Sequence, residues 1–287
     1  MRLFFSAPES GEIVTGSSFE PLIAEASAQM MNLSLDVHWN QEPSQYMNLW
    51  HLVGQFVDQG LAANATIGDL IGRALSISAM DCAIRGLQRS GSPRVCELMY
   101  QTPVTVAEYY KALLTDEAWE ILRQSTPANP AQLSEDSATK TFEEAFQDAY
   151  FHFSYYGKAG DWSPMKDTLS WALWLRGSAI VCSFGQQIIN RMFPIYFSAL
   201  GNLSPKAMSV NLEQDRIGQS TTPDNTDILS AEALSIFSPG KRLPYIAVVH
   251  CYALTENQGI VIKQPSSPDL EDDDQLTDED LEVAPRY

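Results

Sequence analysis

The segment from Leu169 to Leu200 is the most apolar part of the chain, and it constrains the fold more than any other segment. Its large apolar residues fall on several sides of a helix, so a helix that contains them is expected to be buried at the centre of the core. These residues are Trp171, Trp174, Ile180, Phe184, Ile188, Ile189, Phe193, Tyr196 and Phe197. Arg176 and Arg191 leave only 14 residues between them, which is short of the roughly 20 needed to cross a bilayer.

Apolar residues recur every three or four positions in other parts of the chain, which is the spacing of one helix face. One such face is made by Leu22, Ala26, Met30 and Leu33. A second helix is predicted over residues 49–57, and a third follows Thr66 and Asp69. A fourth is predicted from Thr139 to Gly157, with Phe142, Phe146, Tyr150 and Phe153 on one side.

Helix starts are marked by capping patterns. Thr105 with Glu108 has the spacing of a capping box, in which each side chain bonds to the other residue's backbone N–H. Thr115 precedes two acids, which suit the positive end of a helix dipole. These patterns predict two further helices, one after each threonine.

Short β segments are predicted at both ends. Arg2–Ser6 and Glu12–Thr15 predict two strands joined by a turn, and Tyr245–Leu254 with Ile260–Lys263 predicts a C-terminal hairpin. We therefore expect a mainly α-helical body of about ten helices with short terminal hairpins. The predicted divisions are an N-terminal lobe (1–124), a linker (125–138), a C-terminal lobe (139–264) and a disordered acidic arm (265–287).

The chain carries 18 basic and 36 acidic residues, a formal net charge of −18, which excludes nucleic-acid binding by a globally basic surface. One local basic cluster exists, with a single acid, Asp81, between its ends. Its members are Arg73, Arg85, Arg89 and Arg94. The cluster either holds phosphates of a nucleic acid or forms salt bridges with acids of the body.

The last 23 residues hold nine acids and one base. Leucines spaced among these acids favour a docking arm for a basic partner surface over a purely solubilising tail. The residues that define this arm are Leu270, Asp272, Asp273, Asp274, Leu276 and Leu281.

Candidate catalytic residues are few. On the predicted helix from Thr139, Glu144, Asp148 and His152 are four residues apart, a spacing suited to a divalent metal or to a solvated helix face. His250 and Cys251 are adjacent in a predicted strand and therefore point to opposite faces. No phosphate-binding loop or nucleophile elbow is complete. No cofactor is predicted.

The start of the chain lacks the apolar core of a signal peptide, and the four cysteines are far apart. We expect an intracellular protein, cytoplasmic or nuclear, that is neither secreted nor membrane-spanning, with cysteines that are reduced and buried.

Two functions stay open from the sequence. The first is a non-enzymatic structural or interaction protein that self-assembles or docks partners through its terminal segments. Its sharpest form is a coat-like or nucleoprotein-like subunit that contacts nucleic acid through the arginine cluster. The second is an enzyme with a dispersed site, either a histidine with carboxylates that hold a metal or a cysteine with a histidine.

Overall fold

The computed structural model describes residues 3–6, 14–16, 20–37, 64–127, 139–158, 167–182, 189–198, 204–217 and 243–252. These residues contain six α-helices: α1 (Glu20–Val37), α2 (Asn64–Arg89), α3 (Val106–Leu113), α4 (Asp116–Gln124), α5 (Phe142–Ala145) and α6 (Asp167–Arg176). They also contain two short 3₁₀ helices, Met99–Gln101 and Pro205–Ala207.

Nine strands are described in the same residues. They are β1 (Leu3–Ser6), β2 (Val14–Gly16), β3 (Val104–Thr105), β4 (Ala149–Phe151), β5 (Tyr155–Lys158), β6 (Ser178–Val181), β7 (Arg191–Phe197), β8 (Met208–Ile217) and β9 (Ile246–Tyr252). Strands β3 to β9 form one mixed sheet that curls into a half-barrel.

Strand β7 is the centre of this sheet. One of its edges is shared by β6, which pairs with Arg191 and Met192, and by β4, which pairs with residues 195–197. Its other edge pairs antiparallel with β8. Strand β9 then adds to β8 in parallel, and β5 adds to β6 in parallel. Every residue of β7 is buried, so both of its faces are covered by protein.

The prediction of a mainly α-helical body of about ten helices is wrong. The described part of the apolar segment Leu169–Leu200 forms α6, β6 and β7 instead of a buried helix. Phe184 and Ile188 lie outside the described residues. A strand that is buried on both faces has a continuous apolar run, and periodicity alone cannot distinguish it from a buried helix. Gly177 separates α6 from β6 with φ of +61°, a conformation that favours glycine.

The predicted helix Thr139–Gly157 is also wrong beyond its first turn. Thr141 and Glu144 form a capping box, but α5 ends at Ala145 and the chain continues as β4 and β5. Phe151 and Phe153 are both buried, two residues apart. Within β4, Ala149 and Phe151 are buried and Tyr150 between them is less so, which is the period-two pattern of a strand, and Phe153 follows the strand. The prediction of one helix face through Phe142, Phe146, Tyr150 and Phe153 is therefore wrong.

Other predicted starts are confirmed. Thr105 Oγ1 accepts a hydrogen bond from the Glu108 backbone N–H, with 3.1 Å between the two atoms, and Glu108 Oε2 accepts one from Thr105 N–H at 2.8 Å. Thr115 Oγ1 accepts from Ala118 N–H at 3.3 Å and begins α4. Helix α2 starts at Asn64, before Thr66, so the capping prediction at Thr66 is wrong.

The main hydrophobic cluster packs α2 and α3 against the sheet. Its aromatic part includes Tyr109, Phe151, Phe153 and Phe193, and the Phe153 and Phe193 rings stack with centroids 4.6 Å apart. Val104 and Phe151 are partners in the sheet, so residues from both sides of the predicted linker belong to one sheet. The domain boundaries stay a prediction.

The terminal strands are partly as expected. Strands β1 and β2 pair antiparallel. Strand β9 forms where the C-terminal hairpin was predicted, but its described partner is β8, in parallel. The predicted helix 49–57, residues 128–138 of the linker, the predicted strand 260–263 and the acidic arm 265–287 lie outside the described residues.

Candidate functional site

Helix α1 exposes its apolar side. Leu22, Ile23 and Met30 have 47%, 60% and 74% of their surface exposed, and Ala26 between them is exposed as well. An amphipathic helix of a globular protein normally turns this side to the core. Three of the six large apolar side chains that are exposed in the described part of the structure lie on this one helix.

The body holds α1 by the opposite, polar side. Glu25 is buried, and its Oε2 accepts a hydrogen bond from the Tyr100 backbone N–H at 2.8 Å. Asn32 is buried and donates from Nδ2 to Asp81 Oδ2 at 2.7 Å. Buried polar groups are stable only when they are hydrogen-bonded, and these contacts satisfy that condition. The attachment of α1 therefore uses polar contacts and leaves the apolar side outward.

One contact in this attachment involves an ionisable side chain, Asp81. Burial raises the pKa of its carboxyl to about 7, although the Asn32 hydrogen bond and the charge of Arg85 act in the opposite direction. Glu25 is a second carboxylate near it and raises the pKa further. The charge of Asp81, which accepts the hydrogen bond that joins α1 to α2, thus changes near neutral pH.

A second polar cluster lies deep between α2 and the sheet. Arg191 of β7 is fully buried, and its Nη2 donates to Glu213 Oε2 at 2.6 Å and to Asp215 Oδ1 at 3.0 Å. Strand register explains the contact, since Arg191 and Glu213 are paired residues in β7 and β8. Asp215 is two residues further along β8 and so lies on the same face.

Further polar groups complete this cluster. Asn211 donates to Glu213 Oε1 at 3.0 Å, and the Tyr252 hydroxyl donates to Asp215 Oδ1 at 2.9 Å. His250 Nε2 lies 3.3 Å from Glu213 Oε2, the distance of an ion pair when the imidazole is protonated. The cluster therefore contains one guanidinium, two buried carboxylates and one imidazole, and Glu213 lies beside both Arg191 and His250.

Charge pairing outweighs burial in this cluster. Burial alone would raise the pKa of Glu213, but His250 and Arg191 outweigh it and lower the pKa to about 2. Burial disfavours the charged form of His250, and the Glu213 carboxylate reverses that effect and raises the pKa of the imidazole. Glu213 therefore stays ionised and fixes the position of Arg191.

Gly72 lets α2 approach the cluster. A Cβ at this position would overlap the Arg191 guanidinium and the Asp215 carboxylate. Ser76, one turn later, donates to the Gly72 carbonyl at 2.9 Å and has its Oγ 3.3 Å from Glu213 Oε2. Arg191 and Glu213 have no exposed surface, so we interpret this cluster as a structural ion network that anchors α2 to the sheet.

The predicted arginine cluster is spread over several environments. Arg73 Nη2 pairs with Asp69 Oδ2 at 2.9 Å, and Arg94 forms an ion pair with Glu108. Arg85 Nη1 lies 3.5 Å from Asn32 Oδ1, and Arg89 is exposed at the end of α2. Arg73 is twelve residues before Arg85, about 120° around the helix at 100° per residue. A nucleic-acid contact through these four residues stays a prediction.

The predicted metal ligands are not on one helix face, because α5 ends before Asp148. The Glu144 carboxylate caps α5 by accepting from Thr141 N–H at 2.9 Å. His152 follows β4 and is largely buried, with Nδ1 2.9 Å from the Trp174 carbonyl oxygen, and burial lowers the pKa of its imidazole. Within the described ranges no group of three His, Cys, Asp or Glu residues is arranged to hold a metal ion.

The cysteines divide into two classes. Cys182 is buried, and burial raises the pKa of its thiol to about 12. Cys82, Cys96 and Cys251 are exposed, which corrects the expectation that all four are buried. Cys251 is exposed whereas His250 is partly buried beside Glu213, consistent with opposite faces of β9.

The ion network and the orientation of α1 were not predicted from the sequence. Arg191 was interpreted only as an interruption of an apolar run. The signal for the network was the alternation of Asn211, Glu213 and Asp215, which predicts one polar strand face. The signal for α1 was Glu25 and Asn32, two polar residues opposite the apolar face. Such residues are normally solvated, so sequence alone could not show that they are buried.

Comparison of the chain with protein-family models, with curated proteins and with solved structures finds no match. None of the helices in the described residues is both long and apolar enough to cross a membrane.

Proposed function

We propose that this protein is a non-enzymatic assembly protein that forms homo-oligomers through the exposed apolar side of α1. The observation that carries the proposal is the inverted placement of this helix, with Glu25 and Asn32 buried and Ile23 and Met30 exposed. Contiguous apolar surface of this kind is typical of protein–protein contacts, whereas single exposed apolar residues are ordinary.

Charge favours a second copy as the occupant of this surface. The chain has a formal net charge of −18, so two copies repel each other over most of their surface. The exposed residues of α1 whose side chains are described carry no charge; they are Leu22, Ile23, Ala26, Ser27, Gln29 and Met30. Two copies therefore meet with least repulsion on this side of the helix. A basic partner surface is better matched by the acidic arm, whose docking role stays a prediction.

Size-exclusion chromatography with light scattering tests the proposal. The wild-type chain is expected to have a mass above the monomer value of 31.9 kDa. The triple variant Leu22→Gln/Ile23→Gln/Met30→Gln is expected to be monomeric. The matched control is Leu98→Gln/Ile121→Gln/Leu175→Gln, which changes three exposed apolar residues outside α1 and is expected to keep the wild-type mass.

The same experiment separates the alternatives. The absorbance ratio at 260 and 280 nm, with and without nuclease, shows whether nucleic acid accompanies the assembled protein. Loss of assembly on nuclease treatment would favour the nucleoprotein-like form, with the arginine cluster as the contact. A wild-type chain that is monomeric at every concentration would overturn the proposal.

A further inference from the structure

The exposed side of α1 has the residue spacing of a coiled-coil seam. Ile23, Ala26 and Met30 are separated by three and then four residues, as are the core positions of a heptad repeat. Leu33 and Val37 continue the same spacing in the sequence up to the last residue of α1. We call Ile23, Ala26 and Met30 the α1 seam.

The body contacts α1 at the positions that face solvent in a coiled coil. Glu25, Ala28 and Asn32 are buried. At 100° per residue they lie about 130 to 170° around the helix from the middle of the α1 seam. The seam therefore points away from the body, and a partner helix can approach it without displacing the contacts to Tyr100 and Asp81.

We infer that the α1 seam pairs with the α1 seam of a second copy in an antiparallel two-helix contact; the inference rests on the proposed function. A two-fold contact uses the same patch on both copies, and α1 is the described element that offers several exposed large apolar residues together. In this arrangement Ala26 meets Ala26 of the second copy, and Ile23 meets its Met30. The small side chain at the centre allows the helices to approach closely.

The antiparallel direction follows from the helix dipoles. Each helix carries partial positive charge at its first residues and partial negative charge at its last residues. Parallel pairing would place like ends side by side, whereas antiparallel pairing places opposite ends together. The α1 seam itself contributes no charge that would favour the other direction.

Contacts with the body of the protein compensate for the short length of the α1 seam. With 18 residues, α1 is about 27 Å long, and a free coiled coil needs roughly three to four heptads. Because Glu25 and Asn32 already hold α1 in place as a helix, pairing does not have to order the helix first. We expect a reversible contact that strengthens with protein concentration.

Disulfide trapping in the full-length chain tests the pairing. The background variant is Cys82→Ser/Cys96→Ser/Cys251→Ser, which removes the three exposed thiols and keeps the buried Cys182. Added Ala26→Cys is expected to give a disulfide-linked dimer under mild oxidation. Ile23→Cys mixed with Met30→Cys is expected to give the mixed dimer in several-fold excess over the dimer of Ile23→Cys alone. Gln124→Cys, an exposed position on α4, is the control for random collision.

The outcomes separate this inference from the proposed function. If light scattering shows an oligomer but Ala26→Cys forms no more dimer than Gln124→Cys, the seam pairing is overturned and the assembly role stands. If Ile23→Cys alone links as well as the mixture, the antiparallel arrangement is overturned. If the wild-type chain is a monomer and no variant links above the control, both fail.

Discussion

Two buried sites of this protein are built around carboxylates, and they differ in what neutralises the charge. In the ion network, Glu213 lies beside the imidazole of His250 and the guanidinium of Arg191, and these two groups lower the pKa of its carboxyl to about 2. Under α1, Asp81 receives a hydrogen bond from the uncharged amide of Asn32, and the pKa of its carboxyl rises to about 7. Burial acts in the same direction at both carboxylates, so the partner decides the result.

The difference separates a contact whose carboxylate stays charged at neutral pH from an adjustable contact, whose carboxyl titrates there. The lowered pKa keeps Glu213 charged at neutral pH, as Arg191 is, and the pair anchors α2 to the sheet. Asp81 changes its charge near neutral pH, and it contacts Asn32 of α1, the helix that carries the proposed assembly surface. Helix α1, which carries the proposed assembly surface, is thus attached through a carboxyl that titrates near neutral pH, whereas the carboxylate that anchors α2 titrates far below it.

Arg191→Met has the largest expected effect. The variant leaves Glu213 and Asp215 buried without their cation, and breaking a buried ion pair from one side costs about 3–5 kcal/mol. Urea unfolding at pH 7, followed by tryptophan fluorescence, measures the loss. The triple variant Arg191→Met/Glu213→Gln/Asp215→Asn removes the charges together and is expected to lose less. Equal losses in the two variants would contradict the view that the guanidinium neutralises the carboxylates.

Gly72→Ala tests how closely α2 approaches the network. The added Cβ overlaps the Arg191 guanidinium and the Asp215 carboxylate, and overpacking of this kind costs about 1–3 kcal/mol. Gly86→Ala on the same helix is the matched control, since a Cβ there meets no atom within 4 Å. That variant is expected to gain about 0.5–1 kcal/mol from better helix propensity. A gain in both variants would show that α2 does not lie against the network.

Asp81→Asn tests the adjustable contact through its pH dependence. Because the pKa of Asp81 rises from 3.8 to about 7 on folding, the native state binds more protons than the unfolded chain between those values, and stability falls as pH rises through that window. We expect the free energy of unfolding of the wild type to fall by on the order of 1 kcal/mol across this window. The fall is limited because α1 can detach locally before the full cost of a buried charge is reached.

The measurement is the difference between wild type and Asp81→Asn in urea unfolding at pH 4, 5.5 and 7.5. The asparagine variant is expected to lack the decline, so the difference between the curves should grow with pH. Glu213 gives the opposite sign, because its lowered pKa adds stability that is lost as pH falls from 4.5 toward 2. If the free energies of unfolding of the wild type and of Asp81→Asn changed with pH in parallel above pH 4, the raised pKa of Asp81 would be contradicted.

The sequence predicts best where the signal is local. Thr105 with Glu108 specifies a helix start through two hydrogen bonds within four residues, and the structure has both of them. The apolar run through Phe193 and Phe197 was predicted as helix, because a strand covered on both faces has no alternation to reveal it. Whether both faces of a strand are buried depends on the other segments that pack against it, and the sequence of the strand itself does not show them.

The candidate sites depend on non-local pairing in the same way. Arg191 and Glu213 are 22 residues apart and meet only because β7 and β8 pair in one register. Asn32 and Asp81 are 49 residues apart and meet because α1 lies against α2. From residue types alone, Arg191 was interpreted as an interruption of an apolar run and Asn32 was given no role, whereas the tertiary fold buries both in polar contacts.

Arg94→Ala has the smallest expected effect and extends the comparison to a carboxylate near the surface. Glu108 pairs with Arg94 outside the core, and although burial would raise the pKa of its carboxyl, hydrogen bonds from Arg94 and Thr105 lower it. Water can replace the guanidinium there, so the expected loss is about 0.2–1 kcal/mol, and it should shrink with added salt. Arg89→Ala, an exposed arginine without an ion pair among the described residues, is the control in the same urea measurement. If Arg94→Ala lost as much stability as Arg191→Met, burial would not determine how much each ion pair contributes to stability.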